Sequence, residues 1–284
     1  MKQNQEQYQV TKMAKIFGVS RSGYYAWLGK GKSRQEREDE QLLEVIKQIF
    51  YQHHKRYGSP RVWATLREEY GRKVSRKRVQ RLMRQAGLVA RPKRKWVKTT
   101  DSQHHLAVAE NLLKRQFRAD GPGEKWVSDI TYLRTESRWL YLTVVIDLWD
   151  RKVLGWAMTD SLQSDCVCKA FMMACANRRP RERLLFHSDR GVQYCAEDFR
   201  RTLIKCCPTV RQSMSGKGNC WDNACAESFF KTLKGELDIL EGRNSRSQVR
   251  TGVFEYIEMY YNRRRRHSAL GYAIPGALTH SFVA

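Results

Sequence analysis

Apolar positions follow two periods along this chain, and the change between them divides it. Up to about residue 90 the period is helical. In the stretch from Val10 to Leu28, Met13, Ala14 and Phe17 share one face, Gly18 offers a turn, Val19 can plug a helix crossing, and Ser20 can cap a second helix. Leu42, Leu43, Val45, Ile46, Ile49 and Phe50 mark a longer amphipathic helix, broken at Tyr57–Arg61. Val62, Trp63 and Leu66 start the next helix. A third opens at Val74 and Ser75, carries Val79, Leu82 and Met83 on one stripe, and ends at Gly87. From Lys125 onward the runs are strand-like: KWVSDITYL, LYLTVVIDLWD and KVLGWAMTD, with short polar breaks that predict consecutive antiparallel strands. Residues 162–178 read as a helix, LLFHSD as a buried strand, Glu197 to Lys205 as a helix, TVRQSMS as a strand, and Asn223 to Leu240 as a helix. A last amphipathic helix holds Val253, Phe254, Ile257, Tyr260 and Tyr261. The predicted order, βββαβαβα after an all-helical front, is that of a mixed α/β sheet flanked by helices. The expected organisation is a helix-turn-helix-like segment (1–35), a basic helical domain (38–98), a linker (99–120), an α/β core (121–240), and a C-terminal helix with a basic tail (241–284).

Charge sharpens this division. The formal net charge is +24 over 284 residues. Residues 1–100 hold 25 Lys and Arg against 8 Asp and Glu, whereas residues 121–240 hold 18 against 15. A basic front on a near-neutral core predicts a polyanion-binding arm attached to a separate domain. Arg21 and Tyr24 would lie on the second helix of the front, available to phosphates and base edges. Arg76, Lys77, Arg81 and Arg84 line the third helix of the basic domain. Lys93, Arg94 and Lys95 fall in a Pro-broken arm, and Arg263 and Arg264 open a second basic block at Arg263–Arg266. The eight cysteines form no CxxC pair, and the chain shows neither a signal peptide nor an apolar run long enough to span a membrane. The expectation is a cytoplasmic protein with reduced thiols. The His53-His54 and His104-His105 pairs lack nearby cysteine partners, which argues against a zinc finger.

Three acids stand out against this basic background. Asp129 is alone among Trp126, Val127, Ile130, Tyr132 and Leu133 in a strand-like run. Asp189 follows LLFHS at a strand's C-terminal end, where α/β sheets place ligands, and Glu227 sits in a helical segment after the Gly-rich SGKGNCWDN loop. Hard oxygen donors suit Mg²⁺, with open positions left for phosphate oxygens and water. Lys231 and Lys234 fall on the face of Glu227. Lys217 and Asn219 lie in a turn whose glycines let backbone approach phosphate, and Asp222 or Asn223 can cap the helix. Glu with Lys four residues on is also an ordinary solvent ion-pair pattern. Asp147 and Asp150 flank a turn beside Arg151, which predicts a surface pairing. His187 shares a face with Asp189, either tuning the site or packing in the strand. Trp221 could stack on an unpaired base, although core packing is the more usual fate of such a residue.

The strings WVSDITYL, YLTVVIDLWDRKVLGW, HSDRGVQY, SMSGKGNCWDNACAESFFKTLKGE and YNRRRRHSALGY, together with YGSPRVWATLR, resemble the second-reading-frame transposases of bacterial insertion sequences. That family has an integrase-type core with a ribonuclease-H-like fold. The resemblance implies an acidic triad of Asp129, Asp189 and Glu227. Asp129 would bridge two Mg²⁺ ions, with Mn²⁺ able to substitute, and each of the other acids would complete one. It implies cleavage of transposon ends and strand transfer into target double-stranded DNA without a covalent protein–DNA intermediate. It also implies a homo-oligomer on DNA, a frameshift fusion with the upstream reading-frame product, and action at the nucleoid. The interval between Asp189 and Glu227 is slightly longer than is usual in that family, and the excess near Lys205–Val210 predicts a longer connection with no displacement of the glutamate.

Two other classes fit parts of the chain. A tyrosine recombinase would be basic and would draw on the 13 tyrosines and the Arg/His-rich tail, but would need no metal. A noncatalytic regulator built on the helical front would tolerate replacement of all three acids.

Overall fold

In the computed structural model, which describes residues 1–90, 107–237 and 243–277, the chain divides into two units, Met1–Ala90 and Arg91–Ala284. The first is all-helical: α1 (Val10–Ile16), α2 (Arg21–Gly29), α3 (Arg34–Gln52), α4 (Ser59–Glu68) and α5 (Arg76–Gln85). Helix starts follow side-chain chemistry. Ser20 and Ser75 accept backbone N–H groups of Gly23 and Arg78, and Ser33 with Glu36 forms a reciprocal capping box at α3. Gly87, at φ +65°, turns the chain after α5. Ile46, Ile49, Tyr57, Val62, Leu66 and Val79 are fully buried and form the core of this unit. Asp39 on α3 receives Arg78 Nε (2.7 Å) and Arg81 Nη2 (2.6 Å) from α5, so two of that helix's basic residues clamp the fold. The α1–α2 pair buries Met13, Ala14 and Tyr24, but Phe17 and Val19, expected in its core, are exposed.

The second unit is built on one five-stranded mixed sheet of order β3-β2-β1-β4-β5. Strands β1 (Lys125–Arg134), β2 (Trp139–Asp147) and β3 (Val153–Thr159) are antiparallel neighbours, as their short connections require. Strands β4 (Leu185–Ser188) and β5 (Arg211–Met214) run parallel to β1 and are reached through helices α6 (Asp165–Asn177), α7 (Val192–Cys195) and α8 (Glu197–Cys206). A 3₁₀ turn (Cys220–Asn223) leads into α9 (Ala224–Glu236). Helix α10 (Arg246–Phe254) continues as a π-helical segment (Glu255–Tyr261). The expected βββαβαβα order is thus present. Helix α9 ends at Glu236, because Leu237, expected inside it, takes an extended backbone (φ -71°, ψ 129°); residues 238–240 of the expected helix lie outside the described residues.

Packing of α6 on the sheet is tightest at Gly155 of β3. A Cβ there would collide with the Ala170 carbonyl oxygen and come within 2.5 Å of Ala174 N, both backbone atoms that cannot move aside singly. Gly155→Ala is therefore expected to destabilise this unit by about 1–3 kcal/mol, the range for forced overpacking. A denaturant midpoint equal to that of the parent protein would refute the contact.

Candidate active site

Strand β1 pairs in parallel with β4, Val127 lying opposite His187. Extending that register by two residues sets Asp129, midway along β1, beside Asp189, the residue that directly follows β4, on one face of the sheet. Each aspartate is half-buried and fixed by its own backbone: Asp129 Oδ1 accepts from Ile130 N (2.8 Å), and Asp189 Oδ1 from Gly191 N (3.0 Å). Glu227 is exposed in the first turn of α9, where the helix dipole favours an anion. Burial pushes the Asp129 carboxyl well above the ordinary range, and the neighbouring charges of Asp189 and then Glu227 push it further. Lys234 opposes them only weakly. These acids therefore share one unbalanced negative field that a bound cation would relieve. Among the described residues, no group of three or more His, Cys, Asp or Glu side chains is gathered into a finished metal cage. The donor set is all carboxylate oxygen, which fits a hard divalent ion such as Mg²⁺ or Mn²⁺.

Two anchors missed in the sequence set this geometry. Asn223, expected to cap α9, makes no capping bond. Its Nδ2 instead donates to the Ser128 carbonyl (3.0 Å), tying the start of the Glu227 helix to the residue before Asp129. Asp222 does not cap either; it accepts from Gly216 N, Asn111 Nδ2 and Arg115 Nε, each at 2.9 Å. Local rules could reach a partner as near as Gly216, but the others are more than 90 residues away in Ser128 and more than 100 in Asn111 and Arg115. The connection from α8 to β5 spans Cys207–Val210, and Glu227 still acts on the Asp129 carboxyl.

His187 is fully buried in β4. The Ser213 hydroxyl accepts from the N–H groups of Leu112 (2.9 Å) and Leu113 (3.2 Å), so its own proton points to His187 Nδ1 (2.8 Å). The ring then carries its proton on Nε2 and donates to Ser215 Oγ (3.3 Å), which donates in turn to the Ser188 carbonyl beside Asp189. Burial lowers the His187 pKa to about 4, against the pull of Asp222. With the folded value depressed, the stability this neutral ring provides is complete above about 6.5 and is lost as pH falls toward 4. Unfolding midpoints measured across that window should drop for the parent protein, and this part of the drop should vanish in His187→Gln. An identical pH profile in both proteins would contradict the neutral, buried assignment.

Several sequence expectations need correction. Asp147 and Asp150 do not make a surface pair with Arg151; both are fully buried and share Arg178, whose Nη1 and Nη2 lie 2.7 Å from Asp147 Oδ2 and Asp150 Oδ2. Arg151 reaches the Phe117 carbonyl and Cys225 instead. Trp221 is not core but 68% exposed. Tyr24, read as a DNA contact, is buried with its hydroxyl donating to Gln5, because its ring completes the small α1–α2 core. Half of the Arg263–Arg266 block is internal: Arg265 makes a two-pronged pair with Glu236 and Arg266 donates to the Tyr272 carbonyl, leaving Arg263 and Arg264 exposed. Arg21, Arg76, Lys77, Arg84, Lys217 and Lys231 are exposed, whereas Arg81 is engaged by Asp39 and Asn219 accepts from Arg115. Lys93, Arg94 and Lys95 lie outside the described residues.

Comparison with known proteins bears on this arrangement. A family model for an HTH-like domain matches residues 36–96, covering the second set of helices and not the 10–28 pair. Two models for an integrase core domain match 119–220 and 209–275. The chain is 41% identical over 95% of its length, and 94% of the relative's, to the transposase InsF for insertion sequence IS3A of Escherichia coli K12. It is also 41% identical to the IS600 uncharacterized 31 kDa protein of Shigella sonnei, over 95% of this chain and 98% of that one. The catalytic core of HTLV-2 integrase in complex with magnesium aligns at a TM-score of 0.38 with 14% identity, over 52% of this chain and 91% of that one. The sheet order and the integrase-core matches agree on a ribonuclease-H-like core behind a helical front.

Proposed function

The chain belongs to the IS3 family of insertion-sequence transposases and carries an integrase core; from that premise we propose that it cuts the ends of its element and joins them to target DNA by metal-dependent, in-line phosphoryl transfer. The observation that supports this reading is that Asp129 on β1, Asp189 directly after the parallel strand β4, and Glu227 in the first turn of the helix bolted to Ser128 act on one another electrostatically. Asp129, Asp189 and Glu227 would hold the ions. When bound, divalent metal activates water or a 3′-hydroxyl for attack and stabilises the leaving 3′-oxygen. The protein's own part is to hold one carboxylate within β1 and one directly after β4 by backbone donors, and to supply acceptor-only oxygens. Lys234 places a positive charge near the same field. No side chain need become covalently linked to DNA.

DNA would be held by the exposed cations: Arg21, Arg76, Lys77 and Arg84 on the helical front, and Lys217, Lys231, Arg263 and Arg264 around the core. The fold leaves Arg81 to its ion pair with Asp39. On the family resemblance, the working form is a homo-oligomer on end and target DNA, with a frameshift fusion to the upstream product as a second form. Among the described residues no helix is long and apolar enough to cross a membrane. Incubation with duplex carrying the element's end should yield a free 3′-hydroxyl with Mg²⁺ or Mn²⁺ and nothing with chelator. Cleavage that survives chelation, with DNA left attached to a tyrosine, would replace this reading with a tyrosine recombinase.

A further inference from the structure

The loop leading to α9 is built inside out. Asp222 and Asn223 are buried, while Trp221 beside them is 68% exposed. Large aromatics ordinarily go inward and carboxylates outward, so this inversion calls for a physical reason. Stability does not supply it, because polar bonds fix the loop. Asp222 takes three donors, and Asn219 Oδ1 receives Arg115 Nη2 at 2.8 Å. At its far end Asn223 is tied to the Ser128 carbonyl; at its near end Ser215 N donates to the Ser188 carbonyl at 3.0 Å. Ser128 and Ser188 are the residues immediately before Asp129 and Asp189. The exposed indole therefore stands on a rigid bridge between the β1 and β4 segments that carry Asp129 and Asp189, six residues before Glu227. Lys217, exposed on the same loop, adds a cation suited to a neighbouring phosphate.

A firmly mounted aromatic face next to a cation is what holds a nucleobase that has left its stack, since every base has a π-face and its backbone a charge. We propose that Trp221 is a substrate-contacting residue that stacks on an unpaired base next to the phosphate being cut, so that the duplex opens locally and the strand can reach the acids. The proposal rests on the phosphoryl-transfer reading given above. A protein partner for the indole is the competing occupant, and the test separates the two.

Single-turnover cleavage should be compared for the parent protein, Trp221→Ala and Trp221→Phe on end duplex, and on duplexes in which each nucleotide flanking the cut is made abasic in turn. On intact DNA Trp221→Ala should lose between about 5- and about 150-fold, with Phe recovering most of it. On the one duplex that lacks the stacked base, the parent and Trp221→Ala should cut alike, a coupling that a purely structural role would not produce. An Ala penalty unchanged on every abasic duplex, no penalty on intact DNA, or a loss that tracks a changed oligomeric state would each overturn the proposal. In metal-free complexes, 5-iodouracil placed beside the cut should photocrosslink to the peptide holding Trp221. Crosslinks only elsewhere would overturn stacking. A Trp221 crosslink together with undiminished cutting by Asp129→Asn would instead leave stacking in place and refute the acid-site reading.

Discussion

Asp129→Asn is expected to lower strand cleavage by at least about 10³-fold, the scale of several kcal/mol of lost charge stabilisation at a metal site, while affinity for end DNA stays nearly unchanged. Binding survives because the cations assigned to DNA lie on other elements: α5, the loop after β5, and the exposed Arg263–Arg264 pair. The same variant should be more stable than the parent when metal is absent. Burial and the charges of Asp189 and Glu227 raise the Asp129 pKa above its unfolded value of about 4. The folded state thus binds that proton more tightly than the unfolded chain, so stability is greatest in acid and declines as pH rises through the folded-state value. Above the unfolded value the parent bears the cost of either burying that charge or holding its proton, and asparagine removes this cost. Thermal unfolding in chelator should therefore show a higher Tm for Asp129→Asn, and added Mg²⁺ should raise the Tm of the parent more than that of the variant. A Tm unchanged by the substitution, with cleavage intact, would remove Asp129 from the site.

The second large effect is expected at Arg178, away from the acids. Its guanidinium is 8% exposed and is shared between Asp147 and Asp150, whose side chains have no solvent contact. Asp147 also takes the N–H groups of Gly123, Trp126 and Trp149, so this carboxylate joins β2 to the start of β1 and to the following turn. Arg178→Met would leave two buried carboxylates facing each other, a loss of about 3–5 kcal/mol. For a unit of this size that corresponds to a Tm lower by roughly 6–20 °C. The sign of the rescue is also fixed. Protonation neutralises the stranded carboxylates, so the gap between Arg178→Met and the parent should narrow as pH falls. A gap that widens in acid would mean that the cluster is not held by these charges.

Strand positions were readable because the sheet's strands are continuous apolar runs, and Asp129 stood out because a lone acid inside such a run must be compensated. The helix order was equally legible from caps at Ser20, Ser33 and Ser75, which act over three residues. What the chain's linear order hid were partners chosen over long distances. Asp147 and Asp150 looked like surface residues because Arg151 is adjacent, but the fold brings Arg178 from the end of α6. Arg265 looked like part of a solvent-facing basic run until Glu236 of α9 was seen to take both of its prongs. Tyr24 and Trp221 exchange their expected places, because burial in these two segments is decided by whether a polar network or an aromatic ring closes the local core. The candidate acids were legible as isolated carboxylates in apolar or Gly-rich settings; the Asn223–Ser128 tie that brings α9 to β1 was not, since nothing local marks it.

The central claim is that Asp129, Asp189 and Glu227 act on DNA by holding a hard divalent metal. Its most direct test exchanges one hard ligand for a soft one. Asp189→Cys, assayed on end duplex, should be nearly inactive with Mg²⁺, which thiolate binds poorly, and should regain cleavage with Mn²⁺, which tolerates sulfur better. Cleavage at the parent rate in Mg²⁺, with no preference for Mn²⁺, would contradict the account.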